Sequence, residues 1–424
     1  MTILTRRRFL GLTGSWPLAG VLAQRAWTQT PARVVVIGGG FGGATCAKYI
    51  RHTDPTIDVT LIEPQHQFVT CPFSNAVLTD LRDLASVTYG YDALRQRHGV
   101  RVIHTMATDL DPPTHRVTLS DGSILRYDRL VLSPGIELRW GAIEGYGAAA
   151  SKVFPHAWEG GPQTLLLHQQ LKAMEDGGLV LIAAPDNPYR CPPGPYERAS
   201  LIAHYLKRHK PRSKVLILDA KNSFTKQDLF TAAWERLYPG LLEWVPQSQS
   251  GRVVRVDPSM GTVHTDFDDY KPAVANIIPP QRAAAIARAA GLDGGQGWCS
   301  IQAHTFESTV HTGIHIIGDA TIANPMPKSA FSANNQAKVC AAAVVALLRG
   351  AQVAAPALMN TCYSLVAPDY GIFIAAVYRV EDGKIVTVKG SSGVSPLNAS
   401  SEIRRLEAEY TKSWYTNITA DVFS

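Results

Sequence analysis

This 424-residue sequence lacks several features, and each absence excludes a class of protein. After residue 26 no apolar run reaches about 20 residues, the length that a membrane-spanning helix needs, so we expect no membrane insertion. No Cys-x-x-Cys-His run is present to attach haem. The six cysteines also lack metal-ligand spacing, so we predict no metal site, and any haem must lie on a partner chain.

Positive charge is concentrated near the amino terminus. The formal charge is +6, but residues 1–26 hold four arginines and no acidic residue, which leaves +2 for the remainder. A chain so close to neutral has no electrostatic basis for binding nucleic acid. Within residues 1–26 an arginine pair precedes Phe9, Leu10 and a mildly apolar stretch, the pattern of a twin-arginine signal peptide. We therefore expect export of a folded protein to the periplasm.

A strand, a glycine-rich turn and a helix are predicted in ARVVVIGGGFGGATCAKYIRH, residues 32–52. Gly38, Gly40 and Gly43 fit the pattern G-x-G-x-x-G, in which glycines permit a tight turn, close approach of a pyrophosphate and helix–strand packing. A second strand precedes Glu63, whose carboxylate can accept hydrogen bonds from a ribose diol. Together these elements predict a dinucleotide-binding unit.

Two later segments indicate which dinucleotide is bound. YDRLVLSPGIEL and GIHIIGDATIANPMPKSAFSANNQAKV resemble the further signatures of flavoproteins with two dinucleotide folds. In such proteins a Gly-Asp pair, here Gly318 and Asp319, contacts the ribityl and phosphate region of the flavin. The helix that starts near Ser329 points its positive end at the flavin, where it favours the negative charge of the reduced form. Lys328, in the same run, is a further candidate cofactor residue. We therefore predict FAD.

A second nucleotide-type unit is predicted between the two parts of the FAD domain. Its first strand, GGLVLIAA, leads into the turn APDNPYRCPPGP, which is rich in proline and has no glycine triplet. Because proline has no N–H to offer a phosphate, we predict that NAD does not bind. The expected fold class is α/β, with two Rossmann-like dinucleotide-binding domains and a C-terminal α+β interface domain. The predicted bounds are 31–150 with 276–345 for the FAD domain, 151–275 for the second domain and 346–424 for the last.

The proline-rich turn contains Cys191, at the entry to a helix whose dipole is expected to lower the pKa of the thiol. Cys362 is its potential partner, in a segment that lies against the flavin in such folds. The residues alone leave two interpretations open, a structural disulfide or a dithiol that reacts with substrate beside the flavin. Cys71 lies on a loop eight residues after Glu63. It can reach the dimethylbenzene edge of a flavin, where a thioether would retain the cofactor.

CPPGPYER, GDATIANPMPKSAFSANNQ, IIPPQRA and GWCSI closely resemble the flavoprotein subunit of flavocytochrome c sulfide dehydrogenase. The resemblance implies oxidation of hydrogen sulfide to sulfur or polysulfide and electron transfer to a separate c-type cytochrome subunit. It also implies FAD held covalently through Cys71 and a redox-active disulfide between Cys191 and Cys362. Glu197 matches a carboxylate near the flavin in that family. The alternative for Glu197 is a first-turn acid that merely suits the helix dipole.

Two other functions fit the same motifs. One is a sulfide:quinone reductase, which works at a membrane, and the other is an accessory flavoprotein that reactivates a sulfur-oxidising carrier complex. The last predicted helix, SSEIRRLEAEYTKSWYTNIT, bears on the first. It carries Ile403, Leu406, Tyr410 and Trp414 on one stripe, and its other face mixes acidic with basic residues, unlike a basic membrane-surface helix. We expect this stripe to pack against the body of the protein or against a partner.

Overall fold

A computed structural model describes residues 31–424, so the predicted signal peptide at residues 1–26 lies outside the described residues. In chain order the α-helices are α1 Phe41–Thr53, α2 Ser74–Val77, α3 Asp92–Gln96, α4 Pro162–Ala173, α5 Gly194–His209, α6 Gln227–Leu237, α7 Ala285–Ala289, α8 Ala330–Leu348 and α9 Ser401–Phe423. No helix within the described range is long and apolar enough to cross a bilayer.

The strands, also in chain order, are β1 Arg33–Ile37, β2 Asp58–Ile62, β3 Gln67–Val69, β4 Thr88–Gly90, β5 Arg101–Ile103, β6 Ala107–Asp111, β7 Arg116–Leu119, β8 Ile124–Arg126, β9 Arg129–Leu132, β10 Ile136–Leu138, β11 Leu179–Ala184, β12 Lys214–Asp219, β13 Leu242–Val245, β14 Val253–Asp257, β15 Thr262–Thr265, β16 Asp269–Tyr270, β17 Val274–Ile277, β18 Gln281–Ala283, β19 Cys299–Ser300, β20 Ile314–Ile316, β21 Thr321–Ile322, β22 Leu358–Ala367, β23 Tyr370–Glu381, β24 Lys384–Thr387 and β25 Gly393–Val394.

The first large sheet is parallel, with strand order β20-β9-β1-β2-β5. The β-branched run of β1 is buried, as expected for a strand covered on both faces. Because β20 pairs with β9, a strand near residue 315 completes a sheet that begins at residue 33. The parallel arrangement brings the carboxyl ends of β1, β9 and β20 to one edge, where such sheets bind ligands.

The second large sheet is also parallel, with strand order β13-β12-β11-β17. Helix α5 packs on it through Ile202, Ala203 and Leu206, which are buried. Strand β17 belongs to this sheet, so the predicted boundary at residue 276 falls within one of its strands. The two parallel sheets match the predicted α/β class, whereas the individual domain bounds stay predictions.

The C-terminal segment forms an antiparallel hairpin, β22 with β23, and α9 packs against it. Along α9 the buried face is not the predicted stripe. Ile403, Leu406 and Tyr410 are 43%, 44% and 49% exposed, and only Trp414 is partly buried. The face turned inward includes Arg404 and Glu407, which form a buried ion pair of 2.9 Å. Packing of the stripe against the body is therefore wrong for its first three residues, and the alternative of a partner remains.

Candidate functional site

A cavity of about 320 Å³ lies at the carboxyl edge of the first sheet. It is bounded by the glycine turn after β1, the loops after β3 and β9, and the amino-terminal ends of α5 and α8. Strand β22 and helix α9 close it from the C-terminal segment. The predicted site residues that line it are Gly38, Gly40, Glu63, Cys71, Cys191, Glu197, Gly318, Asp319 and Cys362. Residues separated by as many as 324 positions thus share one cavity, in which they can act on the same molecule.

The glycine turn cannot carry side chains. Gly38 has φ +97°, and a Cβ there would lie 2.3 Å from the backbone oxygen of Ser133. A Cβ on Gly43 would lie 1.8 Å from the oxygen of Gly38, so Gly43 serves helix packing and does not line the cavity. The Glu63 carboxylate accepts a 2.7 Å hydrogen bond from the Gly39 N–H. At the start of α1, Gly40 provides no side-chain cap, which leaves N–H groups for a phosphate.

Asp319 has the clearest capacity to bind a ligand among the residues of the cavity. Its Oδ1 is buried and finds no hydrogen-bond partner among residues 31–424, and its side chain lines the cavity. Burial raises the pKa of this carboxyl group, although the positive charges of Arg190 and Lys328 oppose the rise. Buried polar atoms are normally paired, and a ligand hydroxyl would supply the donor. Together with the glycine turn, this fits the ribityl and pyrophosphate parts of FAD.

Lys328 is predicted as a cofactor-binding residue, and that role stays a prediction. Its ammonium donates to the backbone oxygens of Asp319 and Thr321 and lies 3.8 Å from the ring centre of Trp298, and its side chain does not line the cavity. Its own backbone oxygen accepts a 2.8 Å hydrogen bond from the Cys191 N–H. Lys328 therefore positions both the Asp319 loop and the Cys191 turn.

Cys191 and Cys362 both line the cavity, one just before α5 and the other on β22. Both are partly buried and are present as thiols. Burial raises the pKa of Cys191 well above its usual value, and the neighbouring Cys362 and Glu197 raise it further. The expected low pKa of Cys191 at the start of α5 is therefore wrong, because burial is the largest cause and raises the pKa. Cys191 also lies three residues before Gly194, the first residue of the helix.

Cys71 lies on the same cavity, two residues after β3. Its thiol lies 3.5 Å from the backbone oxygen of Trp158, and Phe73 follows in the left-handed region with φ 64°. This turn fixes the sulfur at the cavity wall. Attachment of the cofactor to Cys71 stays a prediction.

Glu197 is held in the first turn of α5 by two contacts. Its Oε1 accepts from the Leu365 N–H at 2.9 Å, and its Oε2 accepts from Nδ2 of Asn75 at 3.3 Å. Burial raises the pKa of Glu197, with the Leu365 N–H and the charge of Lys226 opposing. A carboxyl group that has a raised pKa and faces two thiols is suited to proton transfer.

Sequence reasoning missed three basic residues beside these groups. Arg190 lines the cavity and donates to the Trp158 oxygen; burial acts to lower its pKa, but the nearby Cys71 and Asp319 raise it above its usual value. Arg198 is buried and donates to Asn75, which also holds Glu197, and Lys226 reaches Cys362 from just before α6. Arg190 could have been found because it directly precedes Cys191. Lys226 has no comparable signal, since only the tertiary structure brings it to β22.

Comparison with known proteins first shows the broad class to which the chain belongs. Residues 32–158 match the model of the pyridine nucleotide-disulphide oxidoreductase family. Among solved structures, the sulfide:quinone oxidoreductase of Aquifex aeolicus superposes with a TM-score of 0.73 at 16% identity, covering 92% of each chain. Putidaredoxin reductase in its covalent complex with putidaredoxin gives 0.67 at 16% identity, over 92% of this chain and 94% of that one. The fold is that of flavoprotein oxidoreductases with two dinucleotide-binding units.

More specific matches identify the family within that class. Residues 164–279 match the central domain model of the sulfide dehydrogenase (flavocytochrome c) flavoprotein chain, and residues 354–423 match the flavin-binding model of flavocytochrome c sulphide dehydrogenase. The flavoprotein chain from Chlorobaculum thiosulfatiphilum is 73% identical over 45 residues, 11% of this chain and 94% of that relative. Sulfide-quinone reductase of Aquifex aeolicus is 30% identical over 184 residues, 43% of this chain and 41% of that enzyme. The chain belongs to the family of flavocytochrome c sulfide dehydrogenase flavoprotein chains.

Proposed function

We propose that this chain oxidises hydrogen sulfide to sulfur or polysulfide with FAD and passes the electrons to a c-type cytochrome subunit. The observation that carries this proposal is the shared cavity: Cys191, Cys362 and Glu197 face the same space as the glycine turn and Asp319. A disulfide at this position can accept the sulfur of a hydrosulfide ion by thiol–disulfide exchange. The family match supports the same substrate.

The cysteines supply the reaction with sulfide. In the oxidised enzyme we propose a disulfide between Cys191 and Cys362. A hydrosulfide ion attacks one sulfur, a new S–S bond forms there as a persulfide, and the original S–S bond breaks with its electron pair on the other sulfur. This step balances without an external oxidant, because the disulfide itself is reduced while the sulfide sulfur is oxidised.

Glu197 handles the protons. Hydrogen sulfide loses its protons on the way to sulfur, and the Glu197 carboxylate lies in the same cavity as both thiols. The raised pKa makes its carboxylate form a stronger base than an ordinary glutamate, so it can accept a proton as the persulfide forms. The contacts with Leu365 and Asn75 fix its direction.

The fitting residues for FAD are the glycine turn, Glu63 and the Gly318–Asp319 pair, with Cys71 as the point of covalent attachment. When bound, FAD supplies a two-electron acceptor that can release its electrons one at a time to a haem. The positive end of α8, at Ser329 and Ala330, lies on the cavity and favours negative charge on such a cofactor.

We also propose that NAD is not used and that the haem lies on a partner. In the turn after β11, where a pyrophosphate would bind, polar groups are already engaged within the protein. The Tyr189 hydroxyl donates to the Pro192 oxygen at 2.6 Å, and the Arg190 N–H donates to Gln281 at 2.9 Å.

An apolar surface is available for the partner, because the exposed stripe of α9 leads through Tyr410 to Trp414 at the cavity. Copurification of a haem subunit would support the dehydrogenase, whereas retention on a sulfur-carrier protein without turnover would favour the accessory function.

The disulfide is tested by Cys191→Ser. The variant should retain FAD but lose sulfide-dependent reduction of cytochrome c, because no disulfide remains for sulfide to open. Cys299→Ala is the matched control, since Cys299 is fully buried away from the cavity. Full activity of Cys191→Ser with bound FAD would refute the disulfide step of the proposed function.

A further inference from the structure

Lys226 is a buried lysine in an uncommon backbone conformation. Its φ is 64°, and its side chain is only 9% exposed. The ammonium donates to Ser364 Oγ at 2.8 Å and to the backbone oxygen of Cys362 at 3.1 Å, and it lies 4.0 Å from the Cys362 sulfur. A lysine in this region of φ is strained, so the surrounding structure holds it there.

Two other buried lysines show two ways in which this protein satisfies a buried ammonium. Lys221 forms an ion pair with the buried carboxylate of Asp219. Lys210 donates to backbone oxygens at the end of α4, including that of Leu171 at 2.7 Å. Among residues 31–424, no carboxylate oxygen lies within 4.0 Å of the Lys226 ammonium. Buried charges are normally paired, and the ionisable group in contact with Lys226 is the Cys362 thiol.

We propose that Lys226 is a catalytic residue whose ammonium is the counter-charge for anionic sulfur on Cys362. The inference rests on the proposed function and deepens it. Hydrosulfide bonds to the Cys191 sulfur, the Cys191–Cys362 bond breaks, and its electron pair stays on Cys362 beside the ammonium. A stabilised thiolate is the better leaving group in thiol–disulfide exchange, so Lys226 accelerates this step.

The surrounding electrostatics agree with this role. Burial raises the pKa of Cys362, the charge of Lys226 opposes the rise, and Glu197 adds to it. Lys226 also opposes the rise in the pKa of Cys191 and of Glu197. On the other side of Cys362, Tyr378 is the further titratable neighbour. Arg198 and Arg190 are further positive charges near Cys191, and Arg198 also lies near Glu197, whereas for Cys362 the positive charge that opposes the rise is that of Lys226.

Lys226 does not act by lining the cofactor site. It is not part of the cavity wall, and it reaches Cys362 from the side of α6 and Ser364. Its replacement should therefore change the chemistry of Cys362 and leave the contacts of the glycine turn and Asp319 in place.

The test uses the full chain with FAD bound and both cysteines reduced. The rate at which iodoacetamide alkylates Cys362 is followed across pH and assigned by peptide mass spectrometry, because only the thiolate reacts. In Lys226→Met we expect the alkylation profile to move to higher pH, with a rate at neutral pH lower by about tenfold, the effect of one pKa unit. Lys226→Arg, which keeps the charge, should recover most of the rate. Lys210→Met is the matched control for loss of a buried lysine and should leave the profile unchanged.

An unchanged alkylation profile in Lys226→Met would overturn the inference. If Lys226→Met does not fold, Lys226→Gln serves instead, because it keeps a donor for Ser364 without the charge. It must show the same shift of the alkylation profile, and an unshifted profile in Lys226→Gln would also overturn the inference. The assay needs neither sulfide nor cytochrome. A shifted profile in a chain that never oxidises sulfide would therefore reject the proposed function while retaining the charge pairing.

Discussion

Replacement of Glu197 by glutamine distinguishes the role of Glu197 in proton transfer from its role in stabilising the fold, because the geometry predicts only a small loss of stability. The glutamine oxygen can keep the Leu365 N–H bond, but its NH₂ would face the NH₂ of Asn75. Asn75 cannot simply turn over, since its Oδ1 accepts a 3.0 Å hydrogen bond from Arg198. One hydrogen bond is lost, which costs about 0.5–1.5 kcal/mol of folding free energy.

The expected effect of Glu197→Gln on the reaction is much larger. A positioned general base contributes about 10²–10⁴-fold to a rate, so sulfide-dependent flavin reduction should slow by at least about 100-fold. In the wild type the reactive form is the carboxylate, so the rate should rise with pH through the raised pKa of Glu197 and then level off. The glutamine variant should lose this dependence.

Stopped-flow reduction of bound FAD by sulfide, measured from acid to neutral pH, checks both points. Glu235→Gln is the control, because it makes the same substitution at an exposed position of α6. A Glu197→Gln variant with the wild-type rate and the same rise with pH would refute the assignment and leave Glu197 as a first-turn acid of α5.

Three further predictions follow from other contacts. Cys71→Ser should bind FAD that is released on acid precipitation, giving a colourless pellet, whereas the wild-type pellet stays yellow; a wild-type pellet without flavin would exclude the covalent bond. Leu406→Asp should weaken cytochrome c reduction without slowing flavin reduction by sulfide, and Val310→Asp, at a site 46% exposed, is its control; equal cytochrome kinetics in all three proteins would remove the stripe from the partner surface. Arg404→Met should lower the free energy of unfolding by about 3–5 kcal/mol, because it leaves Glu407 buried without its ion pair; urea unfolding measures this, and a change below about 1 kcal/mol would contradict it.

Local patterns predicted much of the site. The strand–glycine–helix pattern around Gly38 and the Gly318–Asp319 pair depend on local backbone requirements, so they could be recognised in short segments. The proline-rich turn likewise marked Cys191 as unusual. These features needed no knowledge of which distant elements meet.

Tertiary contacts determined the features that the sequence could not predict. The raised pKa of Cys191 results from burial beside Cys362 and Glu197, and a helix-entry position says nothing about that burial. The ammonium of Lys226 reaches Cys362 only because α6 packs near β22. On α9 the apolar stripe suggested an inward face, but the buried Arg404–Glu407 pair turns that stripe towards solvent, and helical periodicity alone cannot show such a pair.

The central claim is tested most directly by an anaerobic sulfide titration of the purified chain with FAD bound, followed at flavin and haem wavelengths before and after addition of cytochrome c. We predict that sulfide bleaches the flavin, that NADH does not, and that added cytochrome c restores the flavin colour as its haem becomes reduced. A flavin that stays oxidised in excess sulfide, or that NADH bleaches rapidly, would contradict the account.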